Sequence, residues 1–351
     1  MPESVLCAAA RAASTVEVDG WTVAAAYGEP AAEYRALRDE AALVDLAFHA
    51  RVRVTGSDRV DFLHGMLTND VKGLAPGAGR ATLVLTEQGK LVADAFVLAL
   101  DDALLLDGAT SAMAAAVVAL TRFIVADDVE LILPGDADHA FALYGPHAAR
   151  VLGRLGVAAP PADDYDHQVA AVRDVEARVV RVPNPAAGGY LLFVPGEAVS
   201  AWWARCMEIG VPAAGHLALE ALRIESGVPS YGQDIGPETL ALEAPLAAAI
   251  SFDKGCYLGQ EVVERVSARG HVNRKLVGLE VDGAAVPVAG DVLLAGEREV
   301  GWVTSAVWSW RLGRPVALGY VRREHLAPGT TLTLRERGNE RAVTVRSLPL
   351  V

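Results

Sequence analysis

The stretch Lys254-Gly255-Cys256-Tyr257-Leu258-Gly259-Gln260-Glu261 is the most unusual segment of the chain. It brings a thiol, an ammonium group, a phenol, an amide and a carboxylate close together. Gly255 and Gly259 relax steric limits on the backbone, so we predict a sharp turn or a close approach to a ligand. Cys256 lies near Lys254 and near a predicted helix start after Gly259, a setting that favours the thiolate. Glu261 would then lie near the positive end of that helix.

The residue types alone leave the role of Cys256 open. A Gly-rich turn with a buried thiol explains them as well as a reactive cysteine does. The other cysteines, Cys7 and Cys206, are widely separated from it and from each other. This pattern predicts neither a disulfide framework nor a metal site, and it suits a reducing cytoplasm. Cys206 falls on the apolar stripe of a predicted helix, so we expect it to be a core residue.

Composition narrows the class of protein. The 351 residues suffice for two or three units with their own cores. The formal net charge of −13 argues against direct nucleic-acid binding, which relies on accumulated Lys and Arg. The sequence contains no uncharged apolar run long enough for a transmembrane helix. We therefore predict an acidic cytoplasmic protein that does not enter a membrane.

The pattern of apolar residues divides the chain near residue 270. Before that point helices and strands are mixed, with a predicted Gly-turn hairpin over 82–100, and the middle of the chain repeats this style. After residue 275, short strands alternate with Gly, Pro and charged turns, which is typical of a closed or sandwich-like β domain. Neither a GxGxxG nor a P-loop pattern is present. We predict one domain over 1–270 and a second over 271–351.

Two further features are candidates for chemistry. Asp94 lies amid apolar neighbours in a predicted strand, where desolvation would raise its pKa and suit it to acid–base work, although a backbone contact at an edge explains it equally. Arg265, Arg269, Arg274 and Lys275 concentrate positive charge in an acidic chain. They predict either an anion site or a solvated charged face.

Taken in order, these motifs resemble the YgfZ family and the related T-protein of the glycine cleavage system. The segment at 254–261 is similar to the YgfZ signature K-G-C-[FY]-x-G-Q-E. Weaker matches run over nearly the whole chain, including Leu67-Thr68-Asn69-Asp70-Val71, Gly89-Lys90-Leu91-Val92-Ala93-Asp94, the segment 223–234, and Gly301-Trp302-Val303-Thr304-Ser305.

The resemblance implies an α+β fold in which ferredoxin-like α/β domains, intertwined over 1–270, and a C-terminal β-barrel form a ring around a central folate site. It implies tetrahydrofolate or a derivative as the cofactor. It also implies an accessory role in assembling or maintaining iron–sulfur enzymes, including tRNA-modifying ones. The expected partners are those enzymes or cluster-assembly proteins. The alternative is a tetrahydrofolate-dependent aminomethyltransferase or demethylase.

The same resemblance assigns site residues. It implies that Cys256 is the functional thiol, assisted electrostatically by Lys254, and that Asp94 acts as an acid or base. The residues expected to contact folate are Asn69, Asp94, Tyr190, Arg223, Tyr231, Gln260 and Glu261.

Two departures from the T-protein pattern favour the YgfZ branch. T-proteins carry two consecutive acids where this chain has Ala93-Asp94. They also carry a glutamate, thought to hold the pteridine, after a Gly–aromatic pair, whereas Gly189-Tyr190 is followed by Leu191-Leu192. Removing that acceptor costs about 1–3 kcal/mol if the pterin donors stay buried and unpaired.

Overall fold

The computed structural model describes residues 2–4, 6–7, 12–133, 135, 138–172, 175–183, 188–336 and 339–351, with only the backbone of Arg269. The chain divides into two compact units. Unit 1 consists of Met1–Val84, Val92–Leu219 and Asp253–Tyr257, and unit 2 consists of Leu85–Leu91, Glu220–Phe252 and Leu258–Val351. This division is discontinuous, because residues 85–91 and 220–252 group with the C-terminal strands. The domain boundary expected at residue 270 stays a prediction.

Unit 1 opens with a two-stranded sheet of β1 (Ser14–Val18) and β2 (Trp21–Ala26). Helix α1 (Pro30–Asp39) follows, with Pro30 in its first turn and the Glu29 carboxylate accepting from the backbone N–H of Ala32. This is the start predicted from Glu29-Pro30, because proline lacks a donor that a first turn does not use. Strand β3 (Ala42–Asp45) comes next.

The same run of elements, strand–helix–three strands–helix–strand, then occurs twice. The first run comprises β4 (His49–Thr55), α2 (Arg59–Met66), β5 (Gly79–Leu85), β6 (Leu91–Ala99), β7 (Leu104–Ala109), α3 (Thr110–Thr121) and β8 (Glu130–Ile132). The second comprises β9 (Asp138–Tyr144), α4 (Ala148–Leu155), β10 (His167–Val172), β11 (Val175–Val182), β12 (Gly189–Pro195), α5 (Val199–Glu208) and β13 (Ala213–Ala214). The repeated style of the sequence reflects two ferredoxin-like α/β domains.

The two sheets have corresponding strand orders, except that the second sheet contains one additional strand, β3. The first is β5-β6-β7-β4-β8, and the second is β10-β11-β12-β9-β3-β13. Strand β3 therefore enters the second sheet, although it precedes the first run in sequence. It pairs antiparallel with β9 and parallel with β13, and this exchange intertwines the two domains.

The core of the second domain confirms the helical stripe predicted for α5. Val199, Trp202, Trp203 and Cys206 are all buried, with Cys206 1% exposed. Burial raises the pKa of the Cys206 thiol to about 12. Cys206 is therefore a core residue, as the spacing predicts.

Unit 2 ends in a closed barrel of strand order β14-β17-β16-β15-β18-β19. The α+β fold with a C-terminal barrel is thus confirmed. Alternate side chains such as Leu332 and Leu334, or Val343 and Val345, point into the barrel and are buried, as a period of two requires. The strands are β14 (Arg274–Val281), β15 (Val292–Ala295), β16 (Arg298–Ser309), β17 (Arg314–Arg322), β18 (Thr331–Glu336) and β19 (Asn339–Arg346).

The α-helices between β13 and β14 are α6 (His216–Glu225) and α7 (Gln260–Arg269). Helix α7 begins directly after Gly259, as predicted, and Glu261 lies in its first turn. None of the helices in the described residues has the length and apolar character needed to cross a membrane.

Candidate functional site

A polar face of the five-stranded sheet in unit 1 carries the densest group of functional side chains. Phe96 on β6 pairs with Asp107 on β7, and Asp107 pairs with Arg51 on β4, so the three lie in one cross-strand row. Residues two apart on a strand share a face, which places Asp94 and His49 on the same side. Intervening residues such as Val52, Val97 and Leu106 point to the opposite face and are fully buried.

Asp107 is the centre of this face. Its side chain is completely buried, and its Oδ2 lies 3.0 Å from Nδ1 of His49. Its Oδ1 is 3.5 Å from Nη1 of Arg51, an ion-pair distance without hydrogen-bond geometry. Arg51 is also buried, bonds Oδ1 of Asp138 through Nη2 at 2.5 Å, and stacks on the Phe193 ring at 5.0 Å. The buried charges compensate one another, and Asp107 Oδ1 keeps acceptor capacity for a donor from a ligand.

Asp94 has the perturbed carboxyl that the sequence predicted. Burial raises its pKa to about 6, while a backbone hydrogen bond and the His49 charge act in the opposite direction. The strand approaches β7 closely here, because a Cβ on Gly108 would lie 2.8 Å from the carbonyl oxygen of Asp94. A carboxyl group that titrates near neutrality can both give and take a proton, which suits it to acid–base work.

Two phenols and a phenyl ring add aromatic surface. The rings of Phe96 and Tyr165 lie 5.8 Å apart between centroids. Tyr165 has φ of 66°, a left-handed conformation rare for a non-glycine residue, and its N–H donates to the Arg181 carbonyl at 2.7 Å. Burial raises the pKa of Tyr165 to about 12 and also raises that of Tyr144, which Asp107 raises further. Both hydroxyls stay protonated at neutral pH and can donate hydrogen bonds.

These features fit a flat, nitrogen-rich heterocycle such as a pterin. Asp94 and the unsatisfied Asp107 Oδ1 are acceptors for ring N–H groups. The aromatic pair Phe96–Tyr165 supplies apolar surface of the kind that lines ligand sites.

Tyr190, an expected folate contact, lies on β12 and is 4% exposed. The guanidinium of Arg181 lies 5.3 Å from the centroid of its ring, so this cation covers the ring. The next residues, Leu191 and Leu192, are both buried in the sheet. The structure thus gives Tyr190 a packing role, and its contact with folate stays a prediction.

Asn69, another expected contact, uses its side-chain amide within the protein. Its Nδ2 donates to the Ala81 carbonyl at 2.9 Å, and its Oδ1 accepts from the backbone N–H of Asp70 at 2.9 Å. Asn69 is 8% exposed. These bonds stabilise the turn after α2, and the folate contact of Asn69 stays a prediction.

Lys254 and Cys256 differ in their surroundings, because Lys254 is hydrogen-bonded to backbone carbonyls whereas Cys256 is exposed to solvent. Nζ of Lys254 donates hydrogen bonds to the carbonyl oxygens of His64, Leu67 and Asn69 at 2.5, 2.7 and 3.0 Å. Burial lowers the Lys254 pKa to about 8, and Asp70 acts against that shift. These contacts hold the ammonium group against backbone carbonyls, and its electrostatic assistance to the thiol stays a prediction. Cys256 itself is exposed, so the buried thiol considered from sequence is wrong.

In unit 2, Arg223 is the hub of a polar network. It bonds Glu220 through Nε at 2.7 Å and Asp234 through Nη1 at 2.6 Å. Asp234 is buried and also accepts from Thr304 and Ser305 of the barrel, the latter at 2.7 Å. Arg223 therefore connects α6 to the barrel through Asp234, and its folate contact stays a prediction.

The remaining expected contacts lie near the surface of unit 2. Gln260 donates to Glu264 at 2.7 Å, and Glu261 pairs with Arg265, both at i,i+4 spacing on α7. Such pairs stabilise a solvated helix face, and the folate contacts expected for Gln260 and Glu261 stay predictions. Tyr231 is partly exposed beside an isolated bridge to Ile235. Its predicted folate contact stays a prediction.

Two members of the basic cluster, Arg265 and Arg274, are held in separate internal contacts. Arg265 pairs with Glu261, whereas Arg274 bonds Glu243 at 3.1 Å and lies about 5 Å from the ring centroids of Trp302 and Tyr320. The Arg269 side chain lies outside the described residues. The solvated and internally paired alternative is the better description of Arg265 and Arg274.

Sequence reasoning missed most of the polar face. Arg51 and Asp107 are charged residues in strands whose neighbours are apolar, the same signal that identified Asp94. His49, Tyr144 and Tyr165 carry no local motif, because sheet register and a loop conformation bring them to the face.

Two family models match the chain. The GCVT N-terminal domain matches residues 6–254, and the glycine cleavage T-protein C-terminal barrel domain matches residues 274–351. The chain is 31% identical over 349 residues to the aminomethyltransferase of Streptomyces coelicolor, covering 96% of this chain and 93% of that protein. It is 30% identical over 353 residues to the aminomethyltransferase of Geobacillus kaustophilus, covering 96% and 94%.

A solved structure is similar over the whole length. The crystal structure of glycine cleavage system aminomethyltransferase T from Bartonella henselae matches with a TM-score of 0.87 at 26% identity, covering 99% of this chain and 96% of that chain.

Proposed function

The chain belongs to the glycine cleavage T-protein family, and from that premise we propose that it is a tetrahydrofolate-binding accessory factor for iron–sulfur enzymes, including enzymes that thiolate tRNA. Its fold is that of a folate-dependent transferase. The observation that carries the accessory role is the exposed thiol of Cys256 in a segment similar to the YgfZ signature.

The polar face of unit 1 supports the folate part of the proposal. Asp94 and Asp107 would accept hydrogen bonds from a pterin, and Phe96 with Tyr165 would pack against it. Tetrahydrofolate supplies nitrogen atoms that can carry a one-carbon unit. The role of Asp94 is to hold or release a proton near those atoms, and a pKa of about 6 suits it to both states at neutral pH.

The accessory part rests on the accessibility of Cys256. A single thiol cannot complete a cluster site, since clusters are commonly held by four ligands. The missing ligands would come from a partner, which is either an iron–sulfur enzyme or a cluster-assembly protein. Cys7 and Cys206 are buried and unsuited to this task.

One observation favours a second function, aminomethyl or N-methyl transfer to tetrahydrofolate. Asp94 is desolvated and titrates near neutrality, as a general acid or base requires. The full-length likeness to aminomethyltransferases points the same way. Against it stand Ala93 and Leu191-Leu192, which occupy positions where the T-protein pattern has carboxylates.

A comparison of wild type with Cys256→Ala, both as purified proteins and in cells, distinguishes the two functions. We expect both proteins to bind tetrahydrofolate equally in calorimetry, and cells carrying only Cys256→Ala to lose iron–sulfur enzyme activity. Catalytic turnover of an aminomethyl or N-methyl donor by the purified wild type would replace this proposal with the transferase. Undetectable tetrahydrofolate binding would contradict both.

A further inference from the structure

Lys254 joins two segments of unit 1 that are far apart in sequence. Its ammonium group donates hydrogen bonds to the carbonyls of His64, Leu67 and Asn69, in and after the last turn of α2. A helix leaves its final carbonyls without intrahelical partners and presents the negative end of its dipole there. The single ammonium group therefore satisfies several acceptors at once, and it does so from a segment 185 to 190 residues later in the chain.

The Cys256 segment is anchored on both sides of the thiol. Lys254 is held by the carbonyls, and Tyr257 is 7% exposed with its ring centroid 5.3 Å from Nζ of Lys254. Cys256 between them is exposed. A Cβ on Gly255 would meet no atom within 4 Å, so open space surrounds this position. Lys254 and Tyr257 therefore anchor the segment on either side of the thiol.

We propose that Lys254 is a positioning residue that clamps residues 253–257 onto the turn after α2 and thereby presents the Cys256 thiol to a partner. This inference rests on the proposed function of Cys256. It differs from direct electrostatic activation, because the ammonium group acts through backbone carbonyls. The same contacts connect the turn around Asn69 with the segment that carries the Cys256 thiol. Each segment therefore helps to fix the conformation of the other.

Hydrogen–deuterium exchange of the intact protein tests the clamp. Lys254→Met keeps the length of the side chain and removes all its donors. We expect amide exchange in residues 253–257 to accelerate at least about tenfold, which corresponds to about 1.4 kcal/mol. Lys72→Met is the matched control, because Lys72 is 54% exposed and pairs with Asp61 at the surface. Exchange at wild-type rates in Lys254→Met would overturn the proposal.

If Lys254→Met does not fold, Lys254→Arg serves in its place. A planar guanidinium cannot direct its donors at three converging carbonyls as an ammonium does, so faster exchange in 253–257 is again expected. Wild-type exchange in Lys254→Arg would then overturn the clamp.

The activity of iron–sulfur enzymes in cells tests whether the proposed function of Cys256 needs the clamp. We expect Lys254→Met to lose support of these enzymes although its thiol is intact and its melting temperature is close to that of wild type. Lys254→Arg should keep more support than Lys254→Met. If amide exchange in residues 253–257 is faster in Lys254→Met but iron–sulfur enzyme activity in cells stays at the wild-type level, the positioning role is refuted. Full support by Cys256→Ala would instead refute the proposed function, whatever the exchange data show.

Discussion

Arg51 and Asp107 face each other across neighbouring strands β4 and β7, and both side chains are almost completely inaccessible to solvent. Their charges lie in the polar face of a sheet whose other face is apolar. Removing one partner of such a pair leaves the other charge buried with less compensation, which is more costly than never having buried the pair.

Asp107→Asn should therefore destabilise the protein. The amide keeps the shape but loses the charge that compensates Arg51 and holds His49, so we expect a loss of about 2–4 kcal/mol in the free energy of unfolding. Urea denaturation at pH 7 measures it. Asp102→Asn is the control, because Asp102 is 73% exposed in its pair with Arg53 and should change stability by about 0.5 kcal/mol or less. Equal stabilities of the two variants would contradict the buried network.

Asp94→Asn should have the opposite effect on stability at neutral pH. The native pKa of Asp94 is about 6, above the unfolded value of 3.8, so the native state binds more protons between these values. The free energy of unfolding consequently falls as pH rises through that window, and wild type carries a penalty at pH 7. We expect Asp94→Asn to be more stable by about 1–3 kcal/mol at pH 7.5, with the gain vanishing near pH 4.

Urea denaturation of Asp94→Asn across pH 4–8 gives this difference directly. The exposed Asp101→Asn should follow the wild-type profile throughout. If the stability gain of Asp94→Asn were the same at every pH, burial of the Asp94 carboxylate would not be its cause. The same Asp94→Asn variant should bind tetrahydrofolate at least about tenfold more weakly, since a charged hydrogen bond is worth about 1.5–3 kcal/mol.

The two glycines of the 254–261 segment should respond differently to substitution. Gly259 has φ of 83°, and a Cβ there would lie 2.5 Å from the Thr86 carbonyl oxygen. Gly259→Ala should therefore cost about 2 kcal/mol or more, from strain and steric overlap together. Gly255→Ala should cost about 0.5 kcal/mol or less, because a Cβ there meets open space. Thermal melting measures the loss of stability in both variants. A large loss of stability in Gly255→Ala would be inconsistent with the structure.

The sequence predicted the fold, whereas the folate and thiol roles of the site residues stay predictions. Strand alternation and helical spacing identified the barrel and the buried stripe of α5, because burial imposes those periods directly. The role of Gly259 was predicted correctly, whereas Gly255 is not in a left-handed conformation. The sequence placed Lys254 two residues from Cys256 and so suggested that it assists the thiol, which stays a prediction. The structure adds hydrogen bonds from Lys254 to carbonyls of residues 64–69, which no local pattern reveals.

One residue of the site, Asp94, could be predicted from the sequence. Asp94 was found because a carboxylate among apolar strand residues is costly and therefore informative. The Tyr165 ring reaches the polar face through a left-handed backbone conformation in a loop, and His49 reaches it through strand register. Such placements depend on long-range pairing, so they required the structure.

Complementation read out by tRNA thiolation tests the central claim most directly. A bacterial strain that lacks its own protein of this kind receives wild type, Cys256→Ala, Cys256→Ser or Cys206→Ala at matched expression. We predict that wild type and Cys206→Ala restore thiolated tRNA, because Cys206 only fills the core, and that both Cys256 variants fail. Equal restoration by Cys256→Ala and wild type would contradict the account.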